Sequence, residues 1–225
     1  MNELLQSILN ADTHALQLIN GAHTGYLDHV MWMLSHAWWW TLMAIALLYI
    51  GLQKGWRQLT VMLLAMGLVI LIADQVSASI IKPWVARLRP THNPALVNGI
   101  HVVNEYRGGM YGFVSSHAAN HFGVAALLGL MMRNRWVWVS LMLWSTVICY
   151  SRCYLGVHYP GDILCGALLG FAASVPVYAL WRAYEQKRFS WETGHVFNKH
   201  DARLLSLSFL FNLLLILAIA PFHQF

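Results

Sequence analysis

Apolar residues recur along this chain in blocks long enough to cross a bilayer, separated by short polar connections. The first block differs from the others. Over residues 3–20, Leu4, Leu5, Ile8, Leu9, Ala15, Leu16, Leu18 and Ile19 recur at helical spacing, interleaved with Glu3, Gln6, Asn10, Asp12 and His14. That pattern predicts an amphipathic helix too polar to span, lying in the membrane interface and ended by Asn20-Gly21. Six spanning helices of about 20 residues each follow. They are expected from about Val30 to Leu52, Leu59 to Ile81, Ser116 to Met132, Trp136 to Tyr154, Pro160 to Trp181, and Leu204 to Pro221. No internal repeat or low-complexity linker divides the chain, and its start lacks the basic region of a cleaved signal peptide. The expectation is an all-α, polytopic membrane helical bundle: a single domain over 1–225, with 1–28 interfacial and 29–221 the transmembrane core.

Composition agrees. Of 225 residues, 58% are hydrophobic and only 10% charged, with mean hydropathy +0.52, whereas a soluble domain carries roughly a quarter charged residues. The net charge of +5 is spread between apolar runs, which argues against nucleic acid as a partner and for the bilayer. Cys149, Cys153 and Cys165 lie in or beside the predicted helices, with no CxxC pair and no sign of a disulfide framework. Trp residues, including Trp38, Trp39 and Trp40, read as interface belts and core. Nine of the 14 basic residues, Lys54, Arg57, Arg133, Arg135, Arg182, Lys187, Arg188, Lys199 and Arg203, fall on one side of a six-span arrangement. By the positive-inside rule that side is cytoplasmic, and both termini face outward.

The other side collects Lys82, Arg87, Arg89, Arg107 and Arg152, together with the polar residues that bear chemistry. In Ser151-Arg152-Cys153-Tyr154-Leu155-Gly156-Val157-His158-Tyr159-Pro160-Gly161-Asp162, His158 and Asp162 meet if the chain turns helical after Pro160. A carboxylate on one imidazole nitrogen fixes the tautomer and frees the other nitrogen to attack, and Arg152 offers a planar fork for a phosphate or carboxylate. In Lys82-Pro83-Trp84-Val85-Ala86-Arg87-Leu88-Arg89-Pro90 the cations either snorkel to headgroups or neutralise a phosphate. In Val114-Ser115-Ser116-His117, a serine caps the third helix and its free amides form an anion site; taken alone, this also reads as an ordinary cap followed by an interfacial histidine. Together the stretches supply cations, neutral donors and two histidines on one side, an inventory suited to phosphoryl transfer.

Lys82 separated by six residues from Arg89-Pro90, then Ser115-Ser116-His117, then Ser151-Arg152 separated by five residues from His158, which is separated by three from Asp162, resembles the type 2 phosphatidic acid phosphatase family, whose pattern is KxxxxxxRP, PSGH and SRxxxxxHxxxD. The motifs cover Lys82 to Asp162 and the helical organisation extends the likeness over most of the chain. The resemblance implies a lipid phosphatase or diphosphatase needing no metal and no cofactor. In it His158 forms a phosphohistidine, Asp162 holds His158, and His117 protonates the leaving group. Lys82, Arg89, Ser115, Ser116 through its amide, and Arg152 bind the phosphate. Val114 and Ser116 depart from the family's proline and glycine. The setting expected is a bacterial inner membrane with the site facing outward, and a lipid phosphate as substrate: undecaprenyl diphosphate, phosphatidylglycerol phosphate, phosphatidic acid or a lipid A phosphate. Rival readings are a lipid-to-lipid phosphotransferase, a phosphate-binding transporter without catalysis, and a metallohydrolase using His117, His121, His158 and Asp162. Asp74 and His36 have no assigned role. Arg87 and Arg107 read as headgroup contacts. Thr91–Tyr111, with His92, His101, Glu105 and Tyr106, is expected to lie over the site.

Overall fold

The computed structural model describes residues 3–188 and 196–223, Arg188 by its backbone alone. Residues 1–2, 189–195 and 224–225, which the single-domain span 1–225 takes in, and the side chain of Arg188, counted among the nine cations, lie outside the described residues. Among the described residues the chain is all-helical, with one isolated antiparallel bridge from Leu88 to Tyr111 and no strand. In order come α1 (Glu3–Gly21), α2 (Gly25–Ser35), α3 (Thr41–Gln53), α4 (Trp56–Asp74), a π-helical stretch Gln75–Ile81, α5 (Lys82–Val85), α6 (Ser116–Met132), α7 (Arg135–Tyr154), α8 (Pro160–Arg188) and α9 (Lys199–Ile219).

Among the described residues, three helical rods are long and apolar enough to cross a membrane: Trp56–Val85, Pro160–Lys187 and Lys199–Phe222. Their outer faces carry exposed Leu64, Leu168 and Leu214, as a lipid-facing surface would. The helix expected from about Val30 to Leu52 is instead broken. Gly25–Ser35 and Ala37–Gln53 meet at 72°. Side chains cause the break by taking carbonyls that would otherwise continue the ladder. His36 leaves helical geometry and its Nδ1 bonds the Trp32 carbonyl at 2.8 Å, while the Trp40 indole N–H donates to the Leu34 carbonyl at 3.0 Å.

The middle of the bundle is α6. It is 17 residues long, packs against α4, α7 and α8, and is buried without interruption from Gly123 to Gly129. A helix apolar on all sides belongs in a core, and small residues bring its axis close to α8. A Cβ on Gly123 would come within 2.8 Å of Val69 Cγ1 and 3.2 Å of the Gly170 carbonyl.

The helices alternate in direction, so their ends form two separate polar regions. At one end Lys54 Nζ meets Asp201 Oδ2 at 2.6 Å, and Arg57 Nε donates to the Tyr184 hydroxyl at 2.9 Å. At the other, the C-terminal ends of α5 and α7 meet the N-terminal ends of α6 and α8. Gly170 is a direct test of the central crossing. A Cβ there would collide with the Ala119 carbonyl and lie 2.7 Å from the Gly123 nitrogen. Gly170→Ala is expected to cost about 1–3 kcal/mol, as overpacking does, and to lower the thermal unfolding midpoint of the detergent-solubilised protein. An unchanged midpoint would show that the α6–α8 crossing has room to spare.

Candidate active site

The second polar end is built from helix termini. α7 stops at Tyr154 because Gly156 adopts φ +69, a left-handed conformation cheap only for glycine. The Gly156 and Val157 amides then bond back to the Cys153 and Arg152 carbonyls at 3.0 and 3.1 Å, a Schellman closure. The chain is thereby turned so that His158 enters the protein fully buried. α8 begins at Pro160, and Asp162 Oδ2, in its first turn, accepts from the Tyr159 amide at 3.1 Å. The same oxygen lies 3.4 Å from His158 Nδ1. The spacing expected of His158 and Asp162 is therefore realised, with Asp162 serving as helix cap and imidazole partner at once.

His158 Nε2 is buried and makes no hydrogen bond. Burial holds the ring well below the ordinary histidine pKa, and Arg89, Arg152 and Lys82 push the same way against a hydrogen bond to the Gly112 carbonyl. A neutral ring with its proton on Nδ1 leaves an electron pair on Nε2.

Lys82, Arg89 and Arg152 lie within electrostatic reach of one another and of His158. Arg89 is held by the Tyr111 and Val157 carbonyls at 3.2 and 3.4 Å. Arg152 donates to Ser35 and, at 2.7 Å, to the Tyr106 hydroxyl, and its Nε is buried without a partner. Lys82 Nζ donates to Ser116 Oγ at 2.8 Å, and that oxygen also lies 2.8 Å from Ser77 Oγ. Ser115 caps α6, accepting from the Ala118 amide at 3.4 Å, and its own amide donates to the Asp162 carbonyl at 3.0 Å. His117 is in electrostatic reach of Arg152, Arg89 and His158. Its ring stacks on His121 at 6.0 Å, and His121 Nδ1 bonds the His117 carbonyl at 2.7 Å. Asp74, half-buried, is within electrostatic reach of Lys82.

A cavity of about 260 Å³ adjoins this cluster on the side of His117 and Arg152. Its walls include Trp32, Ser35, His36, Trp40, Tyr106 and His121. Residues at the break of the first expected span, Leu34 to Ala37, line it, and this places His36 beside the cluster.

Two readings of the sequence change. Arg87 and Arg107 bind protein groups rather than standing free for headgroups. Arg107 Nη1 donates to the Thr91 carbonyl at 3.3 Å, and Arg87 Nη1 donates to Asp162 Oδ1 at 2.8 Å. Several contributors carried no signal of their own: Asp12, which accepts from Arg87 Nη2 at 2.7 Å, Ser35, Ser77, Tyr106 and Gly112. A Cβ on Gly112 would stand 2.8 Å from Asp162 Oδ2, so a glycine is needed beside the carboxylate. Only Tyr106 fell in a segment expected to cover the site.

Comparison with known proteins points the same way. The model of the PAP2 superfamily matches residues 54–188. The lipid A 4'-phosphatase of Bacteroides thetaiotaomicron is 38% identical over 170 residues, 74% of this chain and 75% of that protein. The lipid A 4'-phosphatase of Porphyromonas gingivalis is 34% identical over 181 residues, 79% of this chain and 75% of that protein. The crystal structure of a transmembrane PAP2 type phosphatidylglycerolphosphate phosphatase from Bacillus subtilis shares the fold, with a TM-score of 0.56 at 21% identity over 85% of this chain and 90% of that one.

A cluster with this surplus of buried positive charge should bind a small oxyanion. Inorganic phosphate, titrated calorimetrically into the detergent-solubilised protein, is expected to bind, and Lys82→Ala to weaken it about tenfold, the worth of one charge-assisted hydrogen bond. Equal affinities at constant ionic strength would remove Lys82 from the anion site.

Proposed function

This chain belongs to the PAP2 superfamily, and from that premise we propose that it is a membrane lipid phosphatase working through a phosphohistidine, without a metal or cofactor. The observation that carries the reading is His158: a buried ring with Nδ1 turned to Asp162 and Nε2 unbonded, facing three cations. Nε2 attacks phosphorus and forms the P–N bond as the bond to the leaving oxygen breaks. Lys82, Arg89, Arg152 and the first-turn amides and hydroxyls of Ser115 and Ser116 stabilise charge on the equatorial oxygens. His117 gives its proton to the leaving alkoxide. The phosphate anion seated beside it favours the imidazolium that donates. Water then attacks the phosphohistidine, with His117 taking the proton, and releases phosphate and free His158.

In-line attack from His158 puts the leaving group on the His117 side, where the cavity lies. Its described walls are mostly aromatic and polar, and Arg152 is the one Lys or Arg among them. A second phosphate would find little to neutralise it there, whereas a sugar or other hydroxyl-bearing headgroup finds rings to stack on and hydrogen-bonding groups. This favours a phosphomonoester on a polar lipid headgroup, such as a lipid A phosphate, over a lipid diphosphate.

The bundle crosses the membrane six times, with α2 and α3 together as one bent crossing and α1 in the interface. The enclosed position of α6 explains how a short helix serves as a crossing: its neighbours, not lipid, surround it. With the end bearing Lys54, Arg57, Arg133 and Arg135 inside, the phosphate site opens at the outer face, in a bacterial inner membrane.

Purified protein with excess chelator is expected to release phosphate from lipid A faster than from phosphatidic acid, phosphatidylglycerol phosphate or undecaprenyl diphosphate. His158→Ala should lower that release by a factor on the order of 10³ or more while keeping the thermal midpoint. Substantial activity in His158→Ala would sink the nucleophile assignment. Loss with chelator would overturn the metal-free mechanism, and transfer of phosphate to another lipid in place of release would make the protein a phosphotransferase.

A further inference from the structure

The N-terminal helix reaches the candidate active site through a closed ring of charged groups. Asp12, two and a half turns into α1, uses both carboxylate oxygens. Oδ1 accepts from the Gly161 amide at 2.7 Å and Oδ2 from Arg87 Nη2 at 2.7 Å. Arg87 Nη1 continues to Asp162 Oδ1 at 2.8 Å. Asp162 follows Gly161 in the chain, so the ring closes on itself. Each member is constrained. The Gly161 amide is one of the donors that the start of α8 cannot satisfy internally, and Asp12 satisfies it from another helix. A Cβ on residue 161 would stand 2.8 Å from Asp12 Oδ2, so Asp12 approaches because a glycine is there. The Arg87 guanidinium lies over the Tyr159 ring at 3.8 Å, which fixes the plane of its fork.

The ring determines where Asp162 can point. With Oδ1 tied to Arg87, Oδ2 is left for the Tyr159 amide and His158 Nδ1. A carboxylate with no exposure to water and no partner for Oδ1 would gain by rotating toward Lys82 or Arg89 instead. We propose that Asp12 and Arg87 are positioning residues for the Asp162–His158 pair, making α1 a working part of the active site. This rests on His158 being the nucleophile and Asp162 its orienting partner.

The charged and titratable groups facing His158 are Lys82 from α5, Arg89 from the following loop, Arg152 from α7, His117 from α6 and Asp162 from α8. Arg87 and Asp12 stand behind Asp162. Asp12→Asn keeps the shape and an acceptor for Gly161 but removes the charge that faces Arg87. It should lower kcat about tenfold, within the range for coupled neighbours, with KM and the inhibition constant of inorganic phosphate unchanged, because the phosphate cations are untouched. Removing a negative charge disfavours the imidazolium, so the acid limb of kcat/KM moves to lower pH in Asp12→Asn. Removing a positive charge in Arg87→Met moves it to higher pH. Gly161→Ala, which displaces Asp12, should reproduce the kcat loss of Asp12→Asn, and Asp12→Asn added to Arg87→Lys should cost little more than Arg87→Lys alone.

Full kcat in Asp12→Asn would overturn the proposal. So would losses confined to the thermal midpoint with an unmoved pH profile, since that is a clamp serving stability only. Titration of the His158 ring by NMR of labelled histidine reads the same opposite displacements without turnover. If wild-type protein releases no phosphate, or His158→Ala retains activity, the functional reading fails. The ring titration then still decides whether Asp12 and Arg87 govern the Asp162–His158 pair.

Discussion

Lys82, Arg89 and Arg152 are held together at one end of a helical bundle, with Arg89 and Arg152 only 8% and 4% exposed. Like charges in such a setting repel, and each has surrendered water. Arg87 does not add to the excess, because Asp162 and Asp12 bracket it. Of the described carboxylates, Asp74 lies in electrostatic reach of Lys82, and Asp162 in reach of both Lys82 and Arg89. A bound oxyanion would relieve this repulsion, and the rest of the architecture can be understood as the means of sustaining it. The cations come from a helix end, a loop and another helix end, and each is restrained by carbonyls or hydroxyls that hold position without cancelling charge. The tight α6–α8 crossing supplies a rigid base, and the Schellman closure of α7 sets the direction from which His158 enters.

Much of this was legible in the sequence because it is local. His158 and Asp162 are one helical turn apart, Ser115 directly precedes the helix it caps, and Gly156 sits where a helix must stop. The helix boundaries of α6 to α9 follow from apolar length and flanking polar residues, and they fall within a few residues of expectation, α8 continuing on to Arg188. What the sequence hid is long-range. Arg87 meets Asp12 and Asp162 across 75 residues each way, Arg152 meets Ser35 across 117, and Asp12 meets Gly161 across 149. No periodicity encodes such pairs. An arginine at a helix exit looks the same whether a headgroup or a buried carboxylate receives it, and Asp12 looks like any polar residue on an amphipathic face.

The break at His36 was hidden for a different reason. Val30 to Leu52 is apolar but for Ser35, His36 and Thr41, and hydropathy is blind to backbone direction. What bends the chain is hydrogen bonding by two side chains: an imidazole on the Trp32 carbonyl and an indole on that of Leu34. The same residues line the cavity beside His117 and Arg152, so the bend and the pocket have one cause.

Ser116 shows how a departure from a motif can be absorbed. Glycine at that position lets backbone amides approach an anion closely, and a side chain there would be expected to intrude. In this chain the hydroxyl turns instead to Ser77 Oγ and Lys82 Nζ, each at 2.8 Å. Ser77 lies in the π-helical stretch of the rod that ends in α5, and its own hydroxyl bonds the Asp74 carbonyl at 3.2 Å. The extra atom has thus become a tether between the α4–α5 rod and the first turn of α6. Lys82, the most flexible of the three cations, gains an anchor that glycine could not offer, while the Ser116 amide remains at the helix start. The Ser116 side chain is better understood as orienting Lys82 than as filling space at the helix start.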